Sequence, residues 1–234
     1  MILSVIIPVY NEEKTIFKIL QKINNQTSIK KEIILIDDGS NDGTREKINK
    51  SCINLIDKKI FLDRNYGKGF ACRIGIKKST GDLLIIQDAD LEYNPDDYLK
   101  LITPILNKSA KVVYGSRIIQ GGNRKRPKHL MIQLSKIANY VLTFLSNLLN
   151  GQNLTDAHTC YKVFTRDIIN QIDLKENGFN FCPELTAKIS KLNVKIFEVP
   201  IDYNGRTHSE GKKISVIDGF RAFIATIKYN IFSS

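Results

Sequence analysis

Five short apolar runs, separated by stretches of helical spacing, constrain the first half of this chain more than any other feature. They are Ile2 to Val9, Glu32 to Ile36, Lys58 to Leu62, Leu83 to Gln87 and Lys111 to Tyr114. Between them, Glu12 to Ile23 sets Ile16, Ile19, Leu20 and Ile23 on one helical face. Asp42 to Asn49, Lys68 to Ser79 and Pro95 to Leu106 read as further helices, the last opened by proline at the first position. In Lys68 to Ser79 the residues expected inward are Phe70, Ala71, Ile74 and Gly75. Strands that are apolar throughout are buried on both faces, which predicts an α/β fold: a mostly parallel sheet with helices on both faces. Ligands bind such sheets beyond the carboxyl ends of the strands. Tyr10-Asn11-Glu12, Asp37-Asp38 and Asp88-Ala89-Asp90 all fall there.

Asp88 and Asp90 follow the apolar run Leu83 to Ile86. At a strand end, residues i and i+2 point the same way. The two carboxylates are therefore expected to converge on one hard cation, Mg²⁺ or Mn²⁺, with positions left for phosphate oxygens. A metal so held neutralises a leaving diphosphate.

The net charge of +11 favours an anionic partner: nucleotide, phospholipid surface or nucleic acid. Scattered helical lysines account for much of it, and no nucleic-acid module or basic–aromatic interleaving is present. Cys52, Cys72, Cys160 and Cys182 form no Cys-x-x-Cys pair and have no clustered histidine, which argues against a disulfide framework and a zinc site. A reducing, cytosolic setting fits. Met1 leads directly into a strand-like run, so no secretory leader is expected. No apolar stretch reaches the roughly 18 to 20 residues of a membrane span.

The second half differs. Gly121 to Lys128 is a basic loop carrying Arg124, Lys125, Arg126 and Lys128. Leu130 to Asn150 is a long apolar helix with a narrow polar stripe: Gln133, Lys136, Asn139, Thr143, Ser146 and Asn147. Phe181 to Leu192 and Ile214 to Phe232 are predicted helices, and Lys195 to Val199 a strand. Leu130 to Asn150 reads either as an interfacial membrane element or as a buried core helix. No repeat or linker divides the chain. One domain, 1–234, is expected.

Together these blocks resemble the family 2 glycosyltransferases, within them the dolichyl- and polyprenyl-phosphate hexose synthases. The resemblance is carried by Val5 to Glu13, Ile36 to Thr44, Arg64 to Gly69, Gln87 to Asp90, Tyr114 to Arg117, Thr155 to Lys162 and Glu198 to Ile201, in family order from residue 4 to about residue 220. It implies a GT-A (Rossmann-like) fold with C-terminal amphipathic helices, a divalent metal, a GDP- or UDP-sugar donor and inversion at the anomeric carbon. It also implies residues 1–118 as the domain's nucleotide-sugar-binding half and 119–234 as its acceptor-binding half. The implied acceptor is a polyprenyl or dolichyl phosphate at the cytoplasmic membrane face. The alternative acceptor is a sugar hydroxyl of a surface polysaccharide or glycolipid. The enzyme would be peripheral to the membrane, alone or with a membrane-anchoring partner.

Residue by residue, the resemblance puts Pro8, Tyr10 and Glu12 in the nucleoside pocket, though Asn11 or Glu12 also suits a plain helix cap. Of Asp37 and Asp38, one reaches the nucleotide and the other braces the loop. Arg64 and Lys68 flank a helix N-terminus suited to a diphosphate. Asp90 is the expected direct metal ligand, and Asp88, beside Ala89, helps hold metal, ribose or sugar. Arg117 is placed to grip a phosphate bidentately. Arg206 to Lys213 resembles the family's C-terminal loop, so Arg206 and Lys212 would bind diphosphate or acceptor phosphate. A hydroxyl acceptor needs a general base, for which Asp156 is the first candidate and Glu184 the second; Asp156 reads equally as a turn cap. An ionised lipid phosphate needs cations instead.

Overall fold

The computed structural model describes residues 1–121, 124–125, 130–206 and 216–232. The first strand, β1 (Leu3–Val9), lies inside the sheet. It pairs in parallel with β2 (Lys31–Asp37) on one side and β4 (Leu83–Ile86) on the other. A fourth parallel strand, β3 (Lys58–Phe61), lies outside β2. Beyond β4 come β7 (Lys162–Thr165), β5 (Val112–Ser116) and β8 (Ile196–Pro200), completing a seven-stranded sheet of order β3-β2-β1-β4-β7-β5-β8. Val5, Ile6, Ile7, Ile34, Leu35, Ile36, Leu84 and Ile85 are buried, as uninterrupted apolar strands require.

Helices α1 (Ile16–Asn25), α2 (Thr44–Ser51), α3 (Lys68–Lys78) and α4 (Tyr98–Leu106) link these strands. Helix α3 packs directly on β1 and β2. At Gly75 any Cβ would collide with the side chain of Ile6, so the glycine sets that close approach. The inward residues of α3 are Gly69, Ala71, Cys72 and Gly75. Phe70 is turned instead to the surface, stacked on Tyr66 with ring centroids 4.7 Å apart.

Strand β7 is the element that periodicity did not announce. It runs antiparallel to both neighbours, pairing Tyr114 with Lys162 and Leu83 with Thr165. Its start therefore lies where β5 ends, and the segment that leads into it, Thr155 to Tyr161, crosses the carboxyl edge of the sheet. Two residues of the basic loop, β6 (Arg124–Lys125), pair in parallel with β9 (Tyr203–Asn204).

The remaining helices are α5 (Leu130–Asn150), α6 (Arg166–Ile169), α7 (Phe181–Lys191) and α8 (Val216–Ile227), which continues as a π-helical turn, Lys228–Phe232. Helices α5, α7 and α8 pack on one another. Among the described residues, no helix is long and apolar enough to cross a membrane.

Candidate active site

The loops after β1 and β2 are locked together. Asn11 adopts φ 50°, a left-handed conformation that asparagine tolerates. From there its backbone N–H donates to Ser40 Oγ at 2.9 Å and its side chain pairs with Asn41. Gly39, at φ +73°, lies so close to the Arg64 backbone that no Cβ fits. The two adjacent aspartates divide their work. Asp38 accepts the N–H groups of Tyr66 and Gly67, both at 2.8 Å, which anchors the turn before α3. Burial raises its carboxyl above the usual range against those bonds. Asp37 is buried, with Oδ2 on Arg45 Nε at 2.5 Å, and its Oδ1 has no hydrogen-bond partner among the described residues. Tyr10 and Pro8 line the same edge, half-buried.

The α3 N-terminus is more occupied than its sequence suggests. The Gly67 N–H goes to Asp38, the Phe70 N–H donates to Asn177 O at 3.0 Å, and Lys68 turns to Asp88. Arg64 lies over the Tyr66 ring, 4.9 Å from its centroid.

Asp88 and Asp90 follow β4 but stand past its last residue, and their carboxylates hold different cations. Asp88 Oδ1 accepts from Lys68 Nζ, which also approaches Cys160 Sγ at 3.6 Å. Burial works against ionisation of Asp88, but the Lys68 ammonium outweighs it and holds the carboxyl below its ordinary value. Asp90 Oδ2 instead accepts from Arg206 Nη2 at 2.7 Å. Burial, with the charges of Asp88 and Glu92, pushes the Asp90 carboxyl up to about 7. Between the two aspartates, Ala89 is buried. Gln87 fixes the end of β4: its Oε1 accepts from Tyr98 and Tyr161, both at 2.7 Å.

Arg206 arrives from the segment after β8 and β9. Besides Asp90 it meets Glu12 Oε1 and Oε2 at 3.4 Å, and its backbone N–H donates to Glu92 Oε1 at 2.8 Å. Glu92 also accepts from Tyr203 Oη at 2.9 Å. The sequence reading overlooked Glu92; its signal was a carboxylate two residues beyond Asp90.

Arg117 and Asp156 form a buried bidentate pair, Nε–Oδ2 2.7 Å and Nη2–Oδ1 2.8 Å. The Arg117 backbone N–H and Asn139 Nδ2 add bonds to the same carboxylate at 3.0 and 3.1 Å. Burial opposes ionisation of Asp156, but the Arg117 guanidinium holds its carboxyl far below the usual range. Both oxygens are engaged and the group is weakly basic, a poor setting for a general base. Glu198 props the loop by accepting from the backbone N–H groups of Thr155 and Asp156 at 2.7 and 3.0 Å. Lys162, fully buried, donates to the carbonyls of Ala157 and Thr159 from beneath and lies 4.3 Å from the Tyr114 ring centroid. Arg117 also lies over the Tyr203 ring, 5.2 Å from its centroid, so Arg117, Tyr203, Glu92 and Arg206 form one connected array. Glu184 stands away from this array: it accepts from Lys175 N, Glu176 N and Lys188 Nζ and braces the 175–178 turn.

Asn139 belongs to α5, and that helix is inside out. Its polar stripe, exposed at Lys136, turns toward the protein from Asn139 onward: Asn139 reaches Asp156, Thr143 Oγ1 accepts the Ala157 N–H at 3.2 Å, and Asn147 pairs with the backbone of Leu154. Ile137, Tyr140, Val141, Phe144 and Leu148 face outward, Phe144 with 62% of its surface exposed. The adjacent α8 likewise exposes Ile217, Phe220 and Ile224. Lys212, Lys213 and Arg126 lie outside the described residues, as does the Arg124 side chain.

An α/β sheet with carboxylates and cations at its strand ends defines the class, and comparison with known proteins gives the family. Residues 4–173 match the model of glycosyl transferase family 2, and the chain belongs to that family. It is 32% identical over 245 residues to the UDP-N-acetylglucosamine–dolichyl-phosphate N-acetylglucosaminyltransferase of Methanococcus voltae, covering 95% of this chain and 93% of that one. It is 29% identical over 210 residues to the dolichol-phosphate mannosyltransferase of Pyrococcus furiosus, covering 89% of this chain and 58% of that one. Glucosyl-3-phosphoglycerate synthase from Mycobacterium tuberculosis, in complex with Mn²⁺, UDP and glucosyl-3-phosphoglycerate, superposes with a TM-score of 0.70 at 16% identity, over 97% of this chain and 79% of that one. The last likeness shows the fold, the GT-A arrangement expected from the sequence.

Proposed function

We propose that this glycosyltransferase moves a hexose, with inversion, from a GDP- or UDP-sugar to a polyprenyl phosphate at a membrane surface. The observation that carries the acceptor assignment is the closed Arg117–Asp156 pair. A sugar hydroxyl must lose a proton as it attacks, and the candidate base is spent on an arginine. A lipid phosphate is already ionised and needs only cations to aim it, and Arg117 and Arg206 share one array with the donor-side carboxylates. The relatives named for dolichyl phosphate support the same acceptor class.

On the donor side, the strand-end loops carrying Pro8, Tyr10, Glu12, Asp37 and Asp38 receive the nucleoside. Asp37 keeps one buried acceptor oxygen for a donor group of the ligand. Lys68, fixed by Asp88, places a positive charge beside the diphosphate. Arg206, with Lys212 of the same family loop, binds diphosphate or acceptor phosphate. Arg117, oriented by Asp156, Asn139 and Tyr203, positions the acceptor phosphate for in-line attack on the anomeric carbon, opposite the leaving diphosphate; this geometry inverts it.

The residues fit a hard divalent cation, Mg²⁺ or Mn²⁺. The donors are carboxylate oxygens, and a positive group already lies against Asp90, Glu12 and Glu92. No set of three or more His, Cys, Asp or Glu side chains suited to a metal occurs among the described residues, so phosphate oxygens would complete the coordination. Asp90 would hold the ion, with help from Asp88, and the bound ion would neutralise the leaving diphosphate.

The apolar faces of α5 and α8 meet the bilayer. Exposed patches of this kind mark interaction surfaces. Exposed Lys136, Arg221 and Lys228 supply cations for lipid phosphates. The face of α5 opposite Asn139 is thus the face at the acyl boundary.

The test is a panel of GDP- and UDP-sugars with Mn²⁺ or Mg²⁺, with and without a short-chain polyprenyl phosphate. Metal-dependent label in the organic phase, lost in Asp90→Ala, is the expected result. Donor turnover onto a sugar hydroxyl, with no lipid product, would overturn the acceptor assignment.

A further inference from the structure

We propose that Arg206 and the divalent cation compete for Asp90, so that loading the metal displaces the Arg206 guanidinium from the carboxylate cluster and frees it for the phosphates. The inference rests on the metal reading of Asp90 given above. It starts from three carboxylates, Asp90, Glu12 and Glu92, set against the Arg206 guanidinium. Arg206 lies 2.7 Å from Asp90, 3.4 Å from Glu12 and 3.5 Å from Glu92. Only the first is a close charge-assisted contact. The grip is incomplete as well: Arg206 Nε faces Glu92 Oε1 at 3.5 Å, an ion pair that does not close into a hydrogen bond.

The oxygen that takes Arg206 Nη2 is Asp90 Oδ2, on the carboxylate best placed to bind the metal. A divalent ion and a guanidinium cannot both sit against that carboxylate without strong like-charge repulsion at short range. One of them leaves. The backbone N–H of Arg206 keeps its own bond to Glu92 at 2.8 Å, so the side chain can swing while its root stays fixed. Arg206 then acts as a positioning residue with two stations: the carboxylates before the metal arrives, the phosphates after it. Lys68 has no such second station, because Asp88, Cys160 and its buried surroundings hold it in place.

The experiment is Mn²⁺ binding to the full chain without nucleotide, followed by electron paramagnetic resonance of the free ion. Arg206→Gln removes the competitor and should tighten the Mn²⁺ Kd by about five- to fifty-fold, the range of a typical coupling between sites. Arg206→Lys keeps a charge but not the forked reach and should fall between. An unchanged or weaker Kd in Arg206→Gln overturns the competition while leaving the metal site in place. Mn²⁺ binding undiminished in Asp90→Asn would instead remove the metal site, and the inference with it. A second readout needs no charge-removing variant. The ¹⁵Nε resonance of Arg206, assigned by its loss in Arg206→Lys, should move on titration with Mg²⁺ and saturate with binding. A resonance that stays put at saturating Mg²⁺ overturns the proposal.

Discussion

The carboxyl edge of the sheet and the α5–α8 face answer the same physical demand in opposite ways. At the sheet edge, buried charges are paired within the protein: Asp156 with Arg117, Asp88 with Lys68, Asp38 with two backbone N–H groups. On the helical face the polar residues find their partners inward, at Asp156, Ala157 and Leu154, and the apolar residues are left without cover. Both follow from the cost of leaving a buried polar group unpaired. The first region meets most of its charges within the protein and leaves Asp37 Oδ1 without a hydrogen-bond partner among the described residues. The second leaves its apolar side chains exposed, and α5 belongs to both.

Four measurements sharpen or break this contrast. The largest effect is expected at the edge. Asp90→Asn should lower turnover about 10³-fold, the scale for losing a main electrostatic contact to developing charge. Glu184→Gln, at a residue that braces the 175–178 turn and pairs with Lys188 away from the array, should leave turnover within a factor of a few. Equal losses in the two would show that Asp90 acts through the fold.

Next comes Arg117→Ala, which strands the Asp156 carboxylate in the interior. Urea unfolding should show a loss of about 3–5 kcal/mol, the cost of breaking a buried pair from one side. The double variant Arg117→Ala/Asp156→Ala should recover part of it. If the single variant is as stable as the parent, the pair is not the closed unit described.

On the helical face the expected sign differs. Phe144→Asp with Phe220→Asp should cut partitioning onto anionic phospholipid vesicles by about 10- to 100-fold, as expected for removing two inserted aromatics. The melting temperature should not fall, because both side chains are exposed. A drop in stability without loss of vesicle binding would mean that the face packs against protein.

The smallest effect concerns acid. Burial, helped by the Lys162 ammonium, pushes the His158 imidazole down to about 4. The unfolded chain takes up that proton near pH 6.5 and the native protein only near pH 4. The unfolded state therefore binds more protons in between, and stability falls as pH drops through that window. His158→Gln should flatten the decline of melting temperature between pH 6.5 and 4. An unchanged slope there would assign the decline to other groups.

Much of this was legible before any coordinates. The apolar runs announced β1 to β5 and β8 because a strand buried on both faces has no polar positions to disguise it. The carboxylates at the strand ends were visible because they interrupt those runs abruptly. Strand β7 was not, since four residues holding a lysine carry too little pattern. Lys162 is buried only because the carbonyls of Ala157 and Thr159 and the Tyr114 ring receive it. Glu92 belongs to no matching block and Glu198 only opens one; their roles depend on Arg206 and the Asp156 loop, which the chain brings to them from a distance.

The sequence alone determined the class of fold and the end of the sheet where the candidate site lies, because both follow from local periodicity and from where polar residues end a run. The stripe on α5 was also readable, but not its direction. A polar stripe on an apolar helix faces water or faces the protein according to what partners await it. Those partners, Asp156 above all, stand on a loop set in place by an antiparallel strand and a distant glutamate. Only the tertiary structure decided that the polar side turns in, that Asp156 is paired with Arg117, and that Asp88 and Asp90 hold different cations. Each depends on contacts between residues far apart in the chain, which no local pattern encodes.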